Sequence, residues 1–333
     1  MTSPLEALRR PVLAAPMAGG PSTPALVRAA VEAGGSGFLA AGYLSAERLA
    51  EQVTEVGRDA EIFGANLFVP EADEIRPEVR AYRDRLAAAH PALAVPDPHP
   101  DDDGWQEKLE VVREAGVPLV SFTFGFPPAD AVHTLHRAGA TVIATVTTAA
   151  EARSALERGA DVLCVQGPAA GGHRGTFDQT VEPPAEPLED LLRSLRGAAP
   201  IVAAGGLTTP AAVAAAREAG AAVVQVGTAL LVADEAGTDP THRRELLAGQ
   251  RETTLTRAFS GRWARGLLNE FMTTHADAPA GYPFLNQLTG PVRAAARRAG
   301  DPEAMSMWAG ERYRDARPGP AGEILERLVR SHG

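Results

Sequence analysis

The sequence predicts an α/β protein built on a single (β/α)8 barrel, a TIM barrel, with a helical C-terminal cap segment. Apolar runs alternate with alanine-rich helical stretches, and the runs are continuously apolar, as parallel strands buried on both faces should be. A doubly wound sheet gives the same alternation, but eight evenly repeated units favour closure into a barrel. The eight runs are Val12–Ala15, Gly37–Ala40, Ile62–Phe68, Leu119–Thr123, Val142–Val146, Val162–Val165, Ile201–Ala204 and Val223–Val226.

Capping residues mark the helices between these runs. Hydroxyl residues precede the stretches Ala25–Ala33, Ala46–Val56 and Ala211–Ala219, and two of the three have proline in the first turn. Glycines stand where several helices should end, because glycine adopts the left-handed conformation of a helix C-terminus readily. These glycines are Gly34, Gly139, Gly159 and Gly220.

Two segments depart from this rhythm. Residues 70–104 are rich in proline, carry three consecutive aspartates and interrupt the third unit with a loop and a helix near Glu78–Ala89. From Thr238 onward no strand pattern is visible. We therefore predict a cofactor-binding barrel domain over residues 1–237 with an insertion at 70–104, and a mostly helical extension over 238–333 that caps the site.

Composition excludes several classes of chemistry. The net charge of −10 gives no basic surface for nucleic acid or an anionic membrane. The single cysteine, Cys164, permits no intrachain disulfide or cysteine-ligated cluster, which is typical of the cytoplasm. The single lysine, Lys108, is expected to be solvated in a helix and is a poor Schiff-base candidate. Redox chemistry would therefore need a borrowed cofactor.

Active sites of such barrels lie at the C-terminal ends of the strands, in the loops that follow them. After the seventh and eighth strands, Gly205-Gly206 and Gly227-Thr228 allow backbone N–H groups to approach an anion, the second pair at the start of another helix. Each pair alone is ordinary turn chemistry. Together, at the two loops where barrel enzymes commonly hold a phosphate, they predict a phosphate site.

His173 is the strongest candidate for acid–base chemistry. It follows Gly171-Gly172 in the loop after the sixth strand, where the flexible backbone suits packing against a flat ligand, and imidazole transfers protons near neutral pH. His133 and His136 share a helix face without a carboxylate at ligand spacing, so no metal site is predicted. Nucleotide-binding glycine motifs, zinc motifs and the serine nucleophile elbow are absent from the sequence.

These motifs, taken together, resemble the nitronate monooxygenases, flavin mononucleotide (FMN) enzymes on a (β/α)8 barrel, and most closely their bacterial class I. The resemblance runs from about residue 11 to the region of Tyr313. It rests on Ala15–Gly20, Gly35–Tyr43, Phe63–Pro70, Ser121–Gly125, Gly171–Gly175, Ala204–Gly206, Gln225–Thr228 and Arg257–Arg262.

The resemblance implies roles for matching positions. Asn66 and Gln166 would hydrogen-bond the isoalloxazine ring, and His173 would be the acid–base residue beside it. The family loop usually has Glu where this chain has Ala169, which puts the rate or the pH optimum in doubt. The implied FMN-binding residues are Ala15, Pro16, Met17, Asn66, Gln166, Gly171, Gly172, Gly205, Gly206, Gln225, Val226, Gly227 and Thr228.

The implied reaction is the oxidative denitrification of alkyl nitronates, such as propionate-3-nitronate, with O2, giving a carbonyl compound and nitrite. Related flavin-dependent enzymes that oxidise NAD(P)H, the enoyl-acyl-carrier-protein reductases and NADH:quinone reductases, are the alternative. A catalytically silent flavin carrier is a third possibility. The partners implied are a small substrate and O2, with the protein a monomer or homodimer.

Side chains for a small apolar substrate pocket are expected from Tyr43, Phe124 and Tyr313, although Phe124 suits barrel packing equally well. Ser260 and Arg262 precede a Trp-Ala-Arg-Gly turn in the cap. They either close over the flavin or form a surface salt bridge. Cys164, within a strand, is expected to be inert packing.

Overall fold

A computed structural model describes residues 4–71 and 74–330 and has eight parallel strands in a closed barrel, as the sequence predicts. Strand order follows the chain, and the last barrel strand pairs with the first, with Leu13 opposite Gln225. The barrel strands are β1 Val12–Ala14, β2 Ser36–Ala40, β3 Gly64–Phe68, β4 Leu119–Thr123, β5 Thr141–Val146, β6 Val162–Gln166, β8 Ile201–Ala204 and β9 Val223–Val226.

The helices of the described chain lie around and above this barrel. They are α1 Pro24–Glu32, α2 Ala46–Gly57, α3 Pro77–Ala89, α4 Trp105–Glu114, α5 Ala129–Arg137, α6 Ala149–Glu157, α7 Leu188–Ser194, α8 Pro210–Ala219, α9 Pro240–Ala248, α10 Glu270–Thr274, α11 Phe284–Ala299 and α12 Ala321–Val329. Within residues 4–71 and 74–330, none of them combines the length and apolarity that a membrane crossing requires.

The predicted caps are present. The side chains of Thr23, Ser45 and Thr209 accept hydrogen bonds from backbone N–H groups in the first turns of α1, α2 and α8. Strand side chains that face inward, such as Leu13, Phe38 and Ile143, fill the barrel interior with Cys164 among them. Cys164 is 2% exposed, and burial raises the pKa of its thiol to about 12, so it packs as an inert apolar residue.

The C-terminal part corrects two sequence expectations. It contains strands, because β10 (Thr253–Thr256) and β11 (Ala264–Leu267) form an antiparallel sheet with β7 (Gly172–His173). The final helix, α12, is also no cap element: Ile324 and Leu325 lie in the main core cluster, and the helix packs between α1 and α8. The predicted extension 238–333 therefore includes the eighth helix of the barrel.

The cap is thus an insertion between β9 and α12. Its entry and exit lie side by side, since Ala233 and Gly319 form a parallel β-bridge and the N–H of Asp234 donates to Gly319 at 3.0 Å. The earlier insertion joins the same layer, because Val79 and Leu86 of α3, the helix predicted near Glu78–Ala89, pack in one cluster with α11. Both segments together cover the C-terminal mouth of the barrel.

Candidate active site

The mouth of the barrel holds a cavity of about 250 Å³ between the strand-end loops and the cap. Loops after β1, β3, β6, β8 and β9 line it from below, and α11 and the segment near Trp308 line it from above. The structure brings every predicted cofactor-binding residue to this cavity: Ala15, Pro16, Met17, Asn66, Gln166, Gly171, Gly172, Gly205, Gly206, Gln225, Val226, Gly227 and Thr228.

Glycines after β8 and β9 form a narrow cradle at one end. Gly205 and Gly206 have φ of +102° and +75°, a region that side chains rarely adopt, and a Cβ at Gly206 would lie 3.0 Å from the Cβ of Ala169. The backbone N–H groups of Gly206, Gly227 and Thr228 donate to no backbone acceptor in the described chain. Thr228 opens only a short 3-10 helix, Thr228–Leu230, so free N–H groups rather than a long helix dipole make this end suitable for an anion.

A hydroxyl inside the first loop fixes the backbone of Ala15-Pro16-Met17. Ser22 Oγ accepts from the N–H of Met17 at 2.8 Å and donates to the carbonyl of Ala15 at 3.1 Å. The loop therefore presents a shaped backbone wall to the cavity without a charged side chain.

The two predicted amide side chains are already held by the protein. Asn66 Nδ2 donates to Ser121 Oγ at 2.9 Å and Thr123 Oγ1 at 3.0 Å, and Asn66 is 3% exposed. Gln166 Nε2 donates to the carbonyl of His173 at 3.1 Å, and its Oε1 accepts from the N–H of Gly175 at 2.9 Å. Gln166 therefore also orients the loop that carries the histidine.

His173 lies in β7, where the barrel loop pairs with the cap strand β11 opposite Ala264. Its Nε2 is 2.8 Å from Ser260 Oγ, and its ring packs edge-on to Phe124 with the centroids 5.5 Å apart. Burial, with a smaller contribution from the positive charge of Arg293, lowers the pKa of His173 to about 4. The imidazole is therefore neutral at neutral pH and has a lone pair available for a proton.

The cap residues Ser260 and Arg262 are buried, at 2% and 1% exposure, so of the two alternatives the surface salt bridge is wrong. Arg262 instead forms a buried ion pair with Glu71 and lies over the ring of Phe124, 4.1 Å from its centroid. Ser260 contacts the histidine directly. Together they support the wall of the cavity from which His173 projects.

Of the three residues expected to line a substrate pocket, only Tyr43 does so. Phe124 is 2% exposed and packs beneath the wall against Phe68 and His173, as the packing alternative predicted. The prediction for Tyr313 is wrong: its ring is buried in a separate cluster of the cap, and its hydroxyl donates to the carbonyl of Arg251.

Tyr43 is connected through Asp103 to Lys108, a residue that the sequence analysis wrongly expected to be solvated. Its backbone has φ of +68°, and its N–H donates to Asp103 Oδ1 at 2.9 Å. Asp103 Oδ2 lies 2.8 Å from Nζ of Lys108, which is 1% exposed rather than solvated. A lysine in a helix of mixed charge gives no sequence signal of burial, because its partner Asp103 comes from the end of the insertion.

Arg293 and Asn286, two turns apart on α11, also line the cavity and were not predicted. Nothing in the neighbouring sequence distinguishes Arg293 from the other arginines of that helix. No cluster of three or more potential metal ligands exists within the described residues, and His136 is bonded to Asp161 at 2.9 Å instead.

Comparisons of the sequence with a family model and with curated relatives all point to one family. The family model described as nitronate monooxygenase matches residues 3–331. A probable nitronate monooxygenase of Bacillus subtilis (strain 168) is 35% identical over 316 residues, covering 92% of this chain and 91% of the relative. One from Staphylococcus haemolyticus (strain JCSC1435) is 32% identical, covering 97% and 94%.

Solved structures with similar folds cover nearly the whole chain. Nitroalkane oxidase from Streptomyces ansochromogenes superposes with a TM-score of 0.90 at 41% identity, covering 97% of this chain and 96% of that one. FabK from Thermotoga maritima has a TM-score of 0.74 at 24% identity, covering 99% and 95%, which shows a shared fold.

Proposed function

The chain belongs to the nitronate monooxygenase family of oxidoreductases, and on this premise we propose that it oxidises alkyl nitronates with FMN and O2. The products are a carbonyl compound and nitrite, and propionate-3-nitronate is the substrate we would test first. The observation that supports this most directly is that His173, a neutral histidine at the end of a strand loop, and the glycine cradle line the same cavity.

The residues present fit a flavin mononucleotide. The cradle of Gly205 and Gly206 leaves no room for side chains and offers free N–H groups, as a phosphate requires. The backbone of Ala15-Pro16-Met17 would lie against the ring system, with Asn66 and Gln166 at its polar edge. When bound, the flavin supplies the electron transfer between nitronate and O2 that no side chain here provides.

The chain's own contribution is proton transfer and positioning. We assign Nε2 of His173 as the donor to Ser260 Oγ, because the Ser260 hydroxyl can itself donate to the carbonyl of Arg262 at 3.3 Å. In this tautomer Nδ1 carries the lone pair, and it has no partner in the described chain. His173 would remove the α-proton of a neutral nitroalkane, or hold the nitronate formed from it. General base catalysis of this kind typically contributes about 10²- to 10⁴-fold in rate.

Nitrite release by the purified, FMN-loaded protein tests the proposal. We expect His173→Ala to lower kcat/KM for a neutral nitroalkane about 10²- to 10⁴-fold, while the preformed nitronate loses much less. His136→Ala is the matched control, since His136 lies on a barrel helix and bonds Asp161. Equal losses in both variants would contradict the assignment of His173.

Two further outcomes would overturn the function itself. A colourless protein that fails to bind added FMN removes the cofactor. Rapid NADH oxidation with no nitrite from any nitronate would support the reductase alternative instead.

A further inference from the structure

Arg293 is a cation in the cavity wall without a counter-ion. Its Nε donates to Thr289 Oγ1 at 3.1 Å, and its Nη2 donates to the carbonyl and to Oδ1 of Asn286 at 2.6 and 2.8 Å. All three acceptors are neutral. No carboxylate in residues 4–71 and 74–330 lies within 4.0 Å of this guanidinium, whereas Arg262 in the same wall has Glu71.

The side chain is held rigidly. Thr289 is fully buried, and its hydroxyl contacts the carbonyl oxygens of Phe259 at 2.5 Å and Leu285 at 3.0 Å. The helix that carries it packs through Leu285 and Val292 against the apolar cluster of the cap. Two of the three guanidinium nitrogens are thereby fixed, and Nη1 has no protein acceptor in the part of the chain that the structure describes.

Arg293 is only partly exposed and has no anionic partner in the described chain, so an anion in the cavity would form a charge-assisted hydrogen bond with its guanidinium. Burial lowers the pKa of Arg293, but arginine stays protonated at neutral pH. The next cation along the helix, Arg297, already has Asp239, with Nε 3.7 Å from Oδ2. Arg293 is therefore the cation of this wall that a ligand would have to neutralise.

The position of Arg293 indicates whether its anion is the cofactor phosphate or the substrate. The phosphate cradle is built by the loops after β8 and β9, whereas Arg293 descends from α11 of the cap. Thr289, which accepts from Arg293 Nε, is hydrogen-bonded to the carbonyl of Phe259, the residue before Ser260. Because Ser260 Oγ lies 2.8 Å from His173 Nε2, this chain of contacts connects Arg293 to the end of the cavity where the proton-transfer residue lies. An anion at this end is the reacting molecule rather than the cofactor phosphate.

We propose that Arg293 binds the negatively charged oxygens of the substrate through Nη1, and that it makes the site select anionic nitronates over neutral nitroalkanes. This inference rests on the proposed function, because it assigns a residue to substrate recognition at that same site. Arg293 is a binding residue here. Its removal should weaken binding of the anion without removing the base.

The experiment compares Arg293→Met, Arg293→Lys and the control Arg298→Met, an exposed arginine of the same helix. Substrates are ethylnitronate and nitroethane, the anion and its neutral conjugate acid. Loss of one charge-assisted hydrogen bond predicts a KM for ethylnitronate raised about 10- to 100-fold in Arg293→Met. The KM for nitroethane should change several-fold less, kcat should fall little, and lysine should restore part of the loss.

A binding measurement separates this inference from the proposed function. Nitrate, a planar anion that the enzyme does not oxidise, is titrated into each FMN-loaded variant by calorimetry. We expect Arg293→Met alone to lose nitrate affinity about 10-fold or more. If the unaltered protein releases no nitrite but shows this nitrate result, the proposed reaction fails while the anion site stands.

Three results would overturn the inference. The first is an unchanged KM for ethylnitronate and unchanged nitrate affinity in Arg293→Met. The second is equal KM increases for the anionic and neutral substrates. The third is loss of bound FMN in Arg293→Met at unchanged thermal stability, which would assign Arg293 to the cofactor.

Discussion

At the scale of single residues, the histidine at the cavity wall combines two properties that a base needs. Its Nε2 is tied to Ser260, and its environment keeps it uncharged. An isolated histidine titrates near pH 6.5, so a solvated imidazole would lose much of its basic form in mildly acidic solution. Burial extends the range in which His173 accepts a proton.

This shift predicts the pH dependence of activity. The pKa of His173 is about 4, below its ordinary value, so the neutral form persists as the pH falls from 7 toward 5. We expect kcat/KM for nitroethane to hold its plateau below pH 6.5 and to fall only as the pH approaches 4. An acid limb centred near pH 6.5 would contradict this, and ethylnitronate, which needs no deprotonation, provides the control profile.

The lowered pKa of His173 also makes the free energy of unfolding depend on pH. Between about pH 6.5 and pH 4 the unfolded chain binds a proton at this histidine and the folded chain does not. Stability therefore decreases as the pH falls through that range. His242, 7% exposed, has its pKa lowered to about 4, chiefly by burial, and adds to the effect.

Site residues that directly follow barrel strands could be predicted from the sequence. Site residues that come from the cap could not. Gly205, Gly206 and His173 are identifiable because strand-end loops of a barrel meet at one mouth. Arg293 comes from a helix of the cap, and its neighbours in sequence say nothing about the cavity. Tyr313 was misplaced for the same reason, since the folding of the cap decides which aromatic residues face inward.

At the scale of elements, the C-terminal end of the insertion between β3 and β4 is anchored by an ion pair between Asp103 and Lys108. Asp103 ends its loop, Lys108 lies in the first turns of α4, and their contact holds the N–H of Tyr43 at the cavity. Tyr43 has a left-handed backbone that costs free energy unless its surroundings fix it. The single lysine of the chain therefore stabilises a cavity loop at a distance.

Replacing that lysine tests the anchor. Lys108→Met leaves the Asp103 carboxylate without its partner where burial already raises the pKa of this group. We expect a loss of about 3 kcal/mol in the free energy of unfolding, measured by urea denaturation. Adding Asp103→Asn should recover most of the loss, since the amide oxygen still accepts from Tyr43. A double variant no more stable than Lys108→Met would contradict the ion-pair account.

The strands of the cap show why elements of that region escaped prediction. β10 and β11 are only four residues each, and β7, which pairs with β11, has two. β11 contains Ala264 and Gly266, residue types that are depleted in strands. Gly266 is required there, because a Cβ would lie 2.7 Å from the carbonyl oxygen of Met307. Packing against the barrel, rather than local propensity, makes this sheet.

At the scale of the whole molecule, the repeated strand–helix units made the barrel predictable. The long connection from β9 to α12 hid the place of the eighth helix. Seven strand–helix units follow one another, but the eighth helix, α12, comes after the entire cap. No local pattern in Ala321–Val329 says which surface it covers. The contacts of Leu325 with the main core, shared with Leu26 and Ala30 of α1, settle its place.

This placement predicts where the stability of the barrel lies. Leu325 is fully buried beside α1, so Leu325→Ala should lower the free energy of unfolding by about 2–5 kcal/mol. Leu247→Ala is the matched control, since Leu247 in the cap is 49% exposed and should cost about 0.5 kcal/mol or less. Equal effects in urea denaturation would mean that α12 does not complete the barrel.

The bridge between Ala233 and Gly319 has a consequence for modularity. The chain leaves the barrel and returns to it at neighbouring positions. Residues 234–318 therefore form a module that is joined to the barrel by two adjacent, hydrogen-bonded segments. Such a module can be exchanged between barrels through two adjacent junctions, with the ring of strands and helices left unbroken. Arg293 and the anion site proposed for it lie in this module, while the glycine cradle and His173 belong to the barrel.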